Sequence, residues 1–233
     1  MALPFFYTED LKQHLIQLNE DTSKHVIQVL RMQIGEKLLL TDGKGSKAEA
    51  EIVDDNRKRC VVKVVSVEKE EERKQRVAIA ISLTKNASRF EWFLEKATEI
   101  GVSEIIPLLC ERTEKEKFRL ERMQGILISA MLQSQQCRMP VLHQPTDFVD
   151  VINLNQFSQK FIAHCEEAYK QQLTKQPINQ PTNKLILIGP EGDFTPKEIE
   201  AALNNGFIPV ALGENRLRTE TAGMVAAVLL CIG

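Results

Sequence analysis

Lys184-Leu185-Ile186-Leu187-Ile188-Gly189-Pro190-Glu191-Gly192-Asp193-Phe194-Thr195-Pro196-Lys197-Glu198 is the stretch on which the fold turns. Its first five residues show no polar alternation, which predicts a strand over 184–188 buried on both faces. Gly189 and Gly192 then open a loop in which a ligand could approach the backbone at the carboxyl end of a strand. Thr195 and Glu198 form a capping box with Pro196 at the first helical position, so a helix begins there and Gly206 closes it. Buried strand, glycine-bearing loop and capped helix together make the repeating half of an α/β sheet.

The same alternation extends outward from this stretch. An unbroken apolar run predicts a second buried strand over 77–83. Phe90, Phe93, Leu94, Ala97 and Ile100 share one face of a helix over 89–100 that Gly101 stops. Strands are expected at 105–109, 160–163 and 210–212. Met123, Ile126, Leu127, Ala130 and Met131 mark a long helix over about 117–136. The segment 177–183 reads as a polar loop. The last element, 221–232, is a helix apolar nearly all round and is expected to be deeply buried. The reading is an α/β domain with a parallel sheet.

Upstream the pattern is different. Asp21, Thr22 and Ser23 offer N-caps to a helix carrying Val26, Val29 and Leu30, with Gly35 as its stop. A strand at 37–41, a hairpin turn at Asp42-Gly43-Lys44-Gly45, an alternating strand with Ala48, Ala50 and Ile52, and a strand at 60–67 indicate a small barrel or sandwich. The charged run 68–76 reads as a solvated linker, which places a small β domain at 1–73 and the α/β domain at 74–233.

Lys and Arg number 30 against 32 Asp and Glu, a net charge of -2, so any polyanion must be met by a local patch. The five cysteines, 60, 110, 137, 165 and 231, are odd in number and widely spaced, as expected of reduced thiols in a cytoplasmic protein. The four histidines form no metal-binding motif, so no metal is expected. The longest apolar run, 222–232, is too short for a bilayer core, which needs about 20 residues, and no membrane association is expected. Gly43-Lys44-Gly45-Ser46-Lys47-Ala48 matches a loose dinucleotide fingerprint, but a strand follows it where that fingerprint requires a helix.

A second glycine-bearing loop, Leu212-Gly213-Glu214-Asn215-Arg216-Leu217-Arg218-Thr219-Glu220-Thr221-Ala222, leads from a strand into the last helix. Arg218 and Glu220 directly before a buried helix are costly unless paired or used. Two readings stand: a structural Arg–Glu pair shaping the loop, or charges serving a site. His164 is either a satisfied histidine at a strand end or a border of the same pocket. Trp92 is read as core or interface packing.

Thr84-Lys85, Arg89-Phe90-Glu91-Trp92, Lys96-Ala97-Thr98-Glu99-Ile100-Gly101, Gly189-Pro190-Glu191-Gly192 and Leu217-Arg218-Thr219-Glu220-Thr221-Ala222 together resemble the RsmE family of ribosomal RNA small subunit methyltransferases. Val29-Leu30-Arg31, Gly35-Glu36 and Asp42-Gly43-Lys44-Gly45 fit the same family, so the resemblance covers the whole chain in order. It implies a PUA-like, RNA-binding β-barrel followed by an α/β SPOUT methyltransferase domain with a parallel sheet and a deep trefoil knot. It implies S-adenosyl-methionine as cofactor, a homodimer, and methylation of uridine N3 in 16S (small-subunit) ribosomal RNA, in the assembled 30S subunit. The alternatives are a non-catalytic RNA-binding or ribosome-assembly protein of the same fold, or a related SPOUT enzyme with another RNA target.

Carried onto this chain, the resemblance implies a cofactor pocket at Gly189, Glu191, Gly192, Leu212, Gly213, Leu217, Arg218, Thr219, Glu220, Thr221 and Ala222. Removing the proton of a weakly acidic uracil N3 calls for a base or a cation, for which Arg218 and Glu220 are the catalytic candidates. Arg31, Lys85, Arg89 and Arg138 are the candidate phosphate contacts. Two departures stand out. Asp193 occupies a position where the family commonly has glycine, and Leu132-Gln133-Ser134-Gln135-Gln136 carries Leu132 and Gln136 where Glu and Arg are frequent.

Overall fold

The computed structural model describes residues 3–114, 118–166 and 170–232. The chain divides into two compact units. The first runs to Glu72 and takes in Met131–Met139, and the second comprises Arg73–Ala130 and the chain from Pro140 onward.

The first unit holds β1 (Phe5–Tyr7), β2 (Leu15–Gln17), α1 (Glu20–Lys24), β3 (Lys37–Thr41), β4 (Ser46–Asp54) and β5 (Val61–Lys69). They form one sheet in the order β1-β3-β4-β5-β2, with β1 parallel to β3 and the other pairs antiparallel. The alternation in β4 turns Ala48, Ala50 and Ile52 onto the buried face, where Leu38, Leu40 and Val62 meet them. β1 and β2 have three residues each, too few to show a period.

The helix near the start differs from expectation. Asn19, not the residues at 21–23, caps it, its side chain accepting from the Thr22 amide at 2.8 Å. Ser23 is buried instead, donating to Leu18 O and accepting from the Cys60 amide. The helix passes into a π turn over His25–Val29. Arg31, at φ 57°, then breaks it in the left-handed region, four residues before Gly35.

The Asp42–Gly45 turn forms as expected, with Asp42 accepting from the Lys44 and Ser46 amides. Gly45 has a further reason to be glycine: a Cβ there would lie 2.5 Å from the Arg138 guanidinium. Arg138 donates to Lys44 O and Glu70 O and pairs with the Glu70 carboxylate at 3.6 Å. The expectation of Arg138 as a phosphate contact therefore meets a guanidinium committed to its own unit.

The segment 68–76 is not wholly a solvated linker. β5 continues to Lys69, Glu70 N donates to Gly45 O, and Arg76 N donates to the Asn183 side chain. Gln75 accepts from the fully buried Lys184 ammonium at 2.9 Å. Each end of the charged run is tied by hydrogen bonds to its own unit.

The second unit holds β6 (Val77–Ser82), α2 (Ala87–Ile100), β7 (Glu104–Leu109), α3 (Leu120–Gln133, its last residues counted with the first unit), β8 (Val141–Leu142), β9 (Thr146–Asp147), α4 (Phe148–Ile152), β10 (Gln159–Ala163), β11 (Gln171–Gln172), β12 (Lys184–Ile188), α5 (Pro196–Asn204), β13 (Ile208–Ala211) and α6 (Thr219–Ile232). The expected start of the long helix at Lys117 lies outside the described residues. All pairings are parallel, in the order β11-β13-β10-β12-β6-β7-β8, with β9 also on β7. β6 and β12 lie side by side, and every residue of both is buried, as their unbroken apolar runs require.

α6 packs on α2 and β6 through a glycine. A Cβ at Gly223 would fall 2.6 Å from Ile81 Cδ1 and 2.8 Å from the Phe93 ring. The expected deep burial of α6 holds for one face only. Gly223, Ala226, Ala227 and Leu230 are buried, while Met224, Val225, Val228 and Leu229 are partly exposed and Ile232 is 66% exposed. An all-round apolar helix here has a buried inner face against α2 and β6 and a partly exposed apolar outer face.

Gly223→Val should destabilise the protein by about 1–3 kcal/mol, the usual cost of overpacking a close contact. Thermal unfolding measures it, and an equal loss is not expected for Gly125→Val, where a Cβ meets nothing within 4 Å.

Candidate functional site

Three segments distant in sequence meet at the carboxyl ends of the central strands. β10 ends at Ala163 and is followed by Cys165. β12 runs into Gly189, Pro190, Glu191 and Asp193. The loop after β13 brings Arg216 to Thr219 and then Ala222. Together with Ile188 they line a cavity of about 340 Å³. β12 pairs with both β10 and β6, strands that are not its chain neighbours, and open α/β sheets take ligands at such reversals of strand order.

Local chemistry holds the loops in place. Gly189 leaves room for the Phe194 ring, which an added Cβ would meet closely at 3.1 Å and which packs in the core beside Phe148. The capping box is complete, with Glu198 also accepting from the Glu111 amide at 2.9 Å. The buried Thr219 hydroxyl donates to Gly189 O at 3.0 Å and so joins the two glycine-bearing loops directly. Lys85 N donates to Glu191 Oε1 at 3.2 Å, bringing the loop after β6 to the same rim.

Asp193 stands at φ 63°. Left-handed backbone favours glycine, and Asp is one of the few other residues that tolerate it. Its carboxylate accepts from the amides of Phe194 at 2.9 Å and Cys165 at 2.7 Å.

Of the expected cofactor residues, Gly189, Glu191, Leu217, Arg218, Thr219 and Ala222 line the cavity, whereas Gly192, Leu212, Gly213, Glu220 and Thr221 are not on its wall. Gly192 faces Arg112, which donates to its carbonyl at 2.7 Å and would touch an added Cβ at 3.3 Å. Gly213 takes φ 143°, a conformation that favours glycine. Sequence reading missed Ala163, Cys165, Ile188, Pro190, Asp193 and Arg216. Arg216 lies within the second glycine-bearing loop, and at the end of β10 the sequence offered His164 as a border rather than its neighbours Ala163 and Cys165.

Of the two readings of Arg218 and Glu220, the structural pair does not form. Glu220 is buried with Oε1 3.7 Å from Arg89 Nε on α2, and its Oε2 has no hydrogen-bond partner among the described residues. Arg218 is exposed on the cavity wall and has no ion pair among the described residues. Lys85 pairs with Glu114 at 3.3 Å across an exposed surface, a contact worth little in water. Arg31 is exposed on the first unit. The Trp92 side chain is 43% exposed.

His164 is not on the cavity wall, although both its chain neighbours are. It is buried, its Nδ1 has no hydrogen-bond partner among the described residues, and its carbonyl accepts from Lys170 Nζ at 2.6 Å. Burial pushes its pKa below the ordinary 6.5, assisted by the Lys170 charge. Among the described residues no cluster of His, Cys, Asp and Glu could hold a metal, and no helix is long and apolar enough to cross a membrane.

Residues 70–231 match the family described as the RNA methyltransferase domain, and residues 18–65 match the RNA methyltransferase PUA domain. The chain is 30% identical to the ribosomal RNA small subunit methyltransferase E of Buchnera aphidicola subsp. Acyrthosiphon pisum, over 98% of this chain and 92% of that relative. Its structure is similar to that of a probable rRNA-methyltransferase from Porphyromonas gingivalis, with TM-score 0.92, 42% identity and 99% of both chains covered. It is also similar to the ribosomal RNA small subunit methyltransferase E of Neisseria gonorrhoeae bound to S-adenosyl methionine, with TM-score 0.83 and 27% identity, over 97% of this chain and 96% of that one.

A histidine with a depressed folded-state pKa takes up its proton in the unfolded chain first. Stability is therefore full above pH 6.5 and falls as pH drops from there toward the folded-state value. The midpoint of thermal unfolding should fall more between pH 7.5 and pH 5 for wild type than for His164→Gln, as differential scanning calorimetry across that range would show.

Proposed function

The chain belongs to the RNA methyltransferase family, with the ribosomal RNA small subunit methyltransferases E as its relatives, and from that membership we propose that it methylates uridine N3 in small-subunit ribosomal RNA with S-adenosyl-methionine. The observation that carries this reading is the cavity formed where Thr219 ties the loop after β13 to Gly189.

The cavity fits the cofactor. About 340 Å³ lies in the range of small-molecule sites. Ala163, Ile188, Leu217 and Ala222 supply apolar wall for an adenine ring. Glu191 places negative charge, and Arg216 positive charge, for a ligand carrying both an ammonium and a carboxylate. When bound, S-adenosyl-methionine supplies an activated methyl group.

This chain's own residues then hold and polarise the substrate. Arg218, exposed to the cavity and free of a carboxylate partner among the described residues, is positioned to stabilise the uracil anion as the N3 proton leaves. Glu220 is engaged with Arg89 and off the cavity wall, so its role in this proposal is to orient the Arg89 guanidinium. Arg31 on the first unit, and Lys85 and Arg89 on the second, are the proposed phosphate contacts. The small β unit is proposed as RNA-binding, the substrate as the assembled 30S subunit, and the location as cytoplasmic. The Asp193 departure does not favour a non-catalytic reading, because the residue adopts the left-handed backbone that a glycine would.

Mass mapping of ribosomal RNA from a deletion strain should show one methyl-uridine lost, restored by wild type. Arg218→Ala should lower kcat by about 10²-fold, the usual cost of removing one charge-stabilising donor, with little change in cofactor affinity by calorimetry. An intact methylation map in the deletion strain would overturn the reading.

The apolar outer face of α6 supports a homodimer packed through this helix. Light scattering should then give a mass near twice 26.4 kDa, and Val228→Glu with Ile232→Lys should shift it toward the monomer.

A further inference from the structure

Asp193 does more than imitate a glycine. Backbone geometry alone would be served better by glycine, since φ 63° is unfavourable for an L residue, though less so for Asp and Asn. What Asp193 adds is a carboxylate with both oxygens used. Oδ1 accepts from the Phe194 amide at the entry to α5, and Oδ2 accepts from the Cys165 amide beyond the end of β10. The second bond spans two loops that are remote in sequence and both line the cavity.

The Cys165 segment is held from its other side by a cation. Lys170 Nζ donates to His164 O at 2.6 Å and to Glu166 O at 2.7 Å. The backbone of 164–166 therefore offers an N–H to an anion and two carbonyls to a cation, each polarity matched. Charge-assisted bonds of this kind are about twice as strong as neutral ones. Fixed cavity walls reduce the ordering cost that a ligand must meet on binding.

We propose that Asp193 is a positioning residue: its carboxylate latches the Cys165 backbone to the loop after β12 and so preorganises the cavity for the cofactor. The part concerning S-adenosyl-methionine rests on the function proposed above; the latch itself does not.

The latch can be read without turnover. Cys165 is the one exposed cysteine of the five; Cys60, Cys110 and Cys137 are buried, and burial pushes the half-buried Cys231 thiol up to about 11. A maleimide added at pH 7 therefore reports on Cys165, because the thiolate is the reactive form. Asp193→Gly keeps the left-handed backbone and removes only the carboxylate. It should label several-fold faster than wild type in the absence of cofactor. It should also bind S-adenosyl-methionine about tenfold more weakly in calorimetry, which is about 1.4 kcal/mol. Asp193→Asn, which tolerates the same backbone and keeps one acceptor oxygen, should fall between the two in both readouts. Circular dichroism and the unfolding midpoint report whether each variant is folded. A folded Asp193→Gly protein that labels and binds as wild type does would overturn the latch. If wild type itself fails to bind S-adenosyl-methionine, the proposed function falls, and the labelling rates alone still decide the latch.

Discussion

The pairing of β12 with β6 on one side and β10 on the other is the constraint from which the second unit follows. Both faces of β6 and β12 are buried, so each strand must be covered by helices and joined to the next by a crossover connection. With every strand parallel, the carboxyl ends lie together. The segments after β10 and β12, and the loop before α6, therefore reach one place although they are far apart in the chain. The cavity is a consequence of that ladder.

Around the cavity and in the packing beneath it the same few devices recur. Glycine appears where another chain element needs the space, as Phe194 does at Gly189 and as Ile81 and Phe93 do at Gly223. A charged group appears where backbone polar groups would otherwise go unpaired, as Asp193 does for the Phe194 and Cys165 amides and Lys170 for two carbonyls. Thr219 spends its hydroxyl on Gly189 O and makes one wall of two loops. Arg218 stands apart: it has no carboxylate partner among the described residues, and its guanidinium lies on the wall.

Arg89 and Glu220 show how charge placement differs from charge order along the chain. Arg218 and Glu220 are two residues apart and do not pair, because α6 starts at Thr219 and turns Glu220 toward α2. Arg138 shows the same point in the first unit. Read alone it is a free cation, but its guanidinium occupies the space beside Gly45 and satisfies the carbonyls of Lys44 and Glu70.

Sequence by itself determined the elements with strong local signals. The apolar runs of β6 and β12, the face of α2 with its Gly101 stop, the capping box at Thr195 and the Asp42–Gly45 turn were all legible, because periodicity, caps and turn residues act within a few positions of themselves. Six wall residues of the cavity were among those that the family resemblance implied, in or next to two loops that glycines mark. Tertiary structure alone decided the rest. Short strands such as β1, β2 and β11 exist only through their partners. Cys165 reaches the cavity because β10 lies next to β12, and no residue near Cys165 encodes that adjacency. Asp193 reads as a departure in sequence and as a two-bond acceptor in space. The physical reason is the same throughout: propensity and capping are local, whereas strand order, ion-pair choice and burial depend on which distant segments the sheet brings within reach.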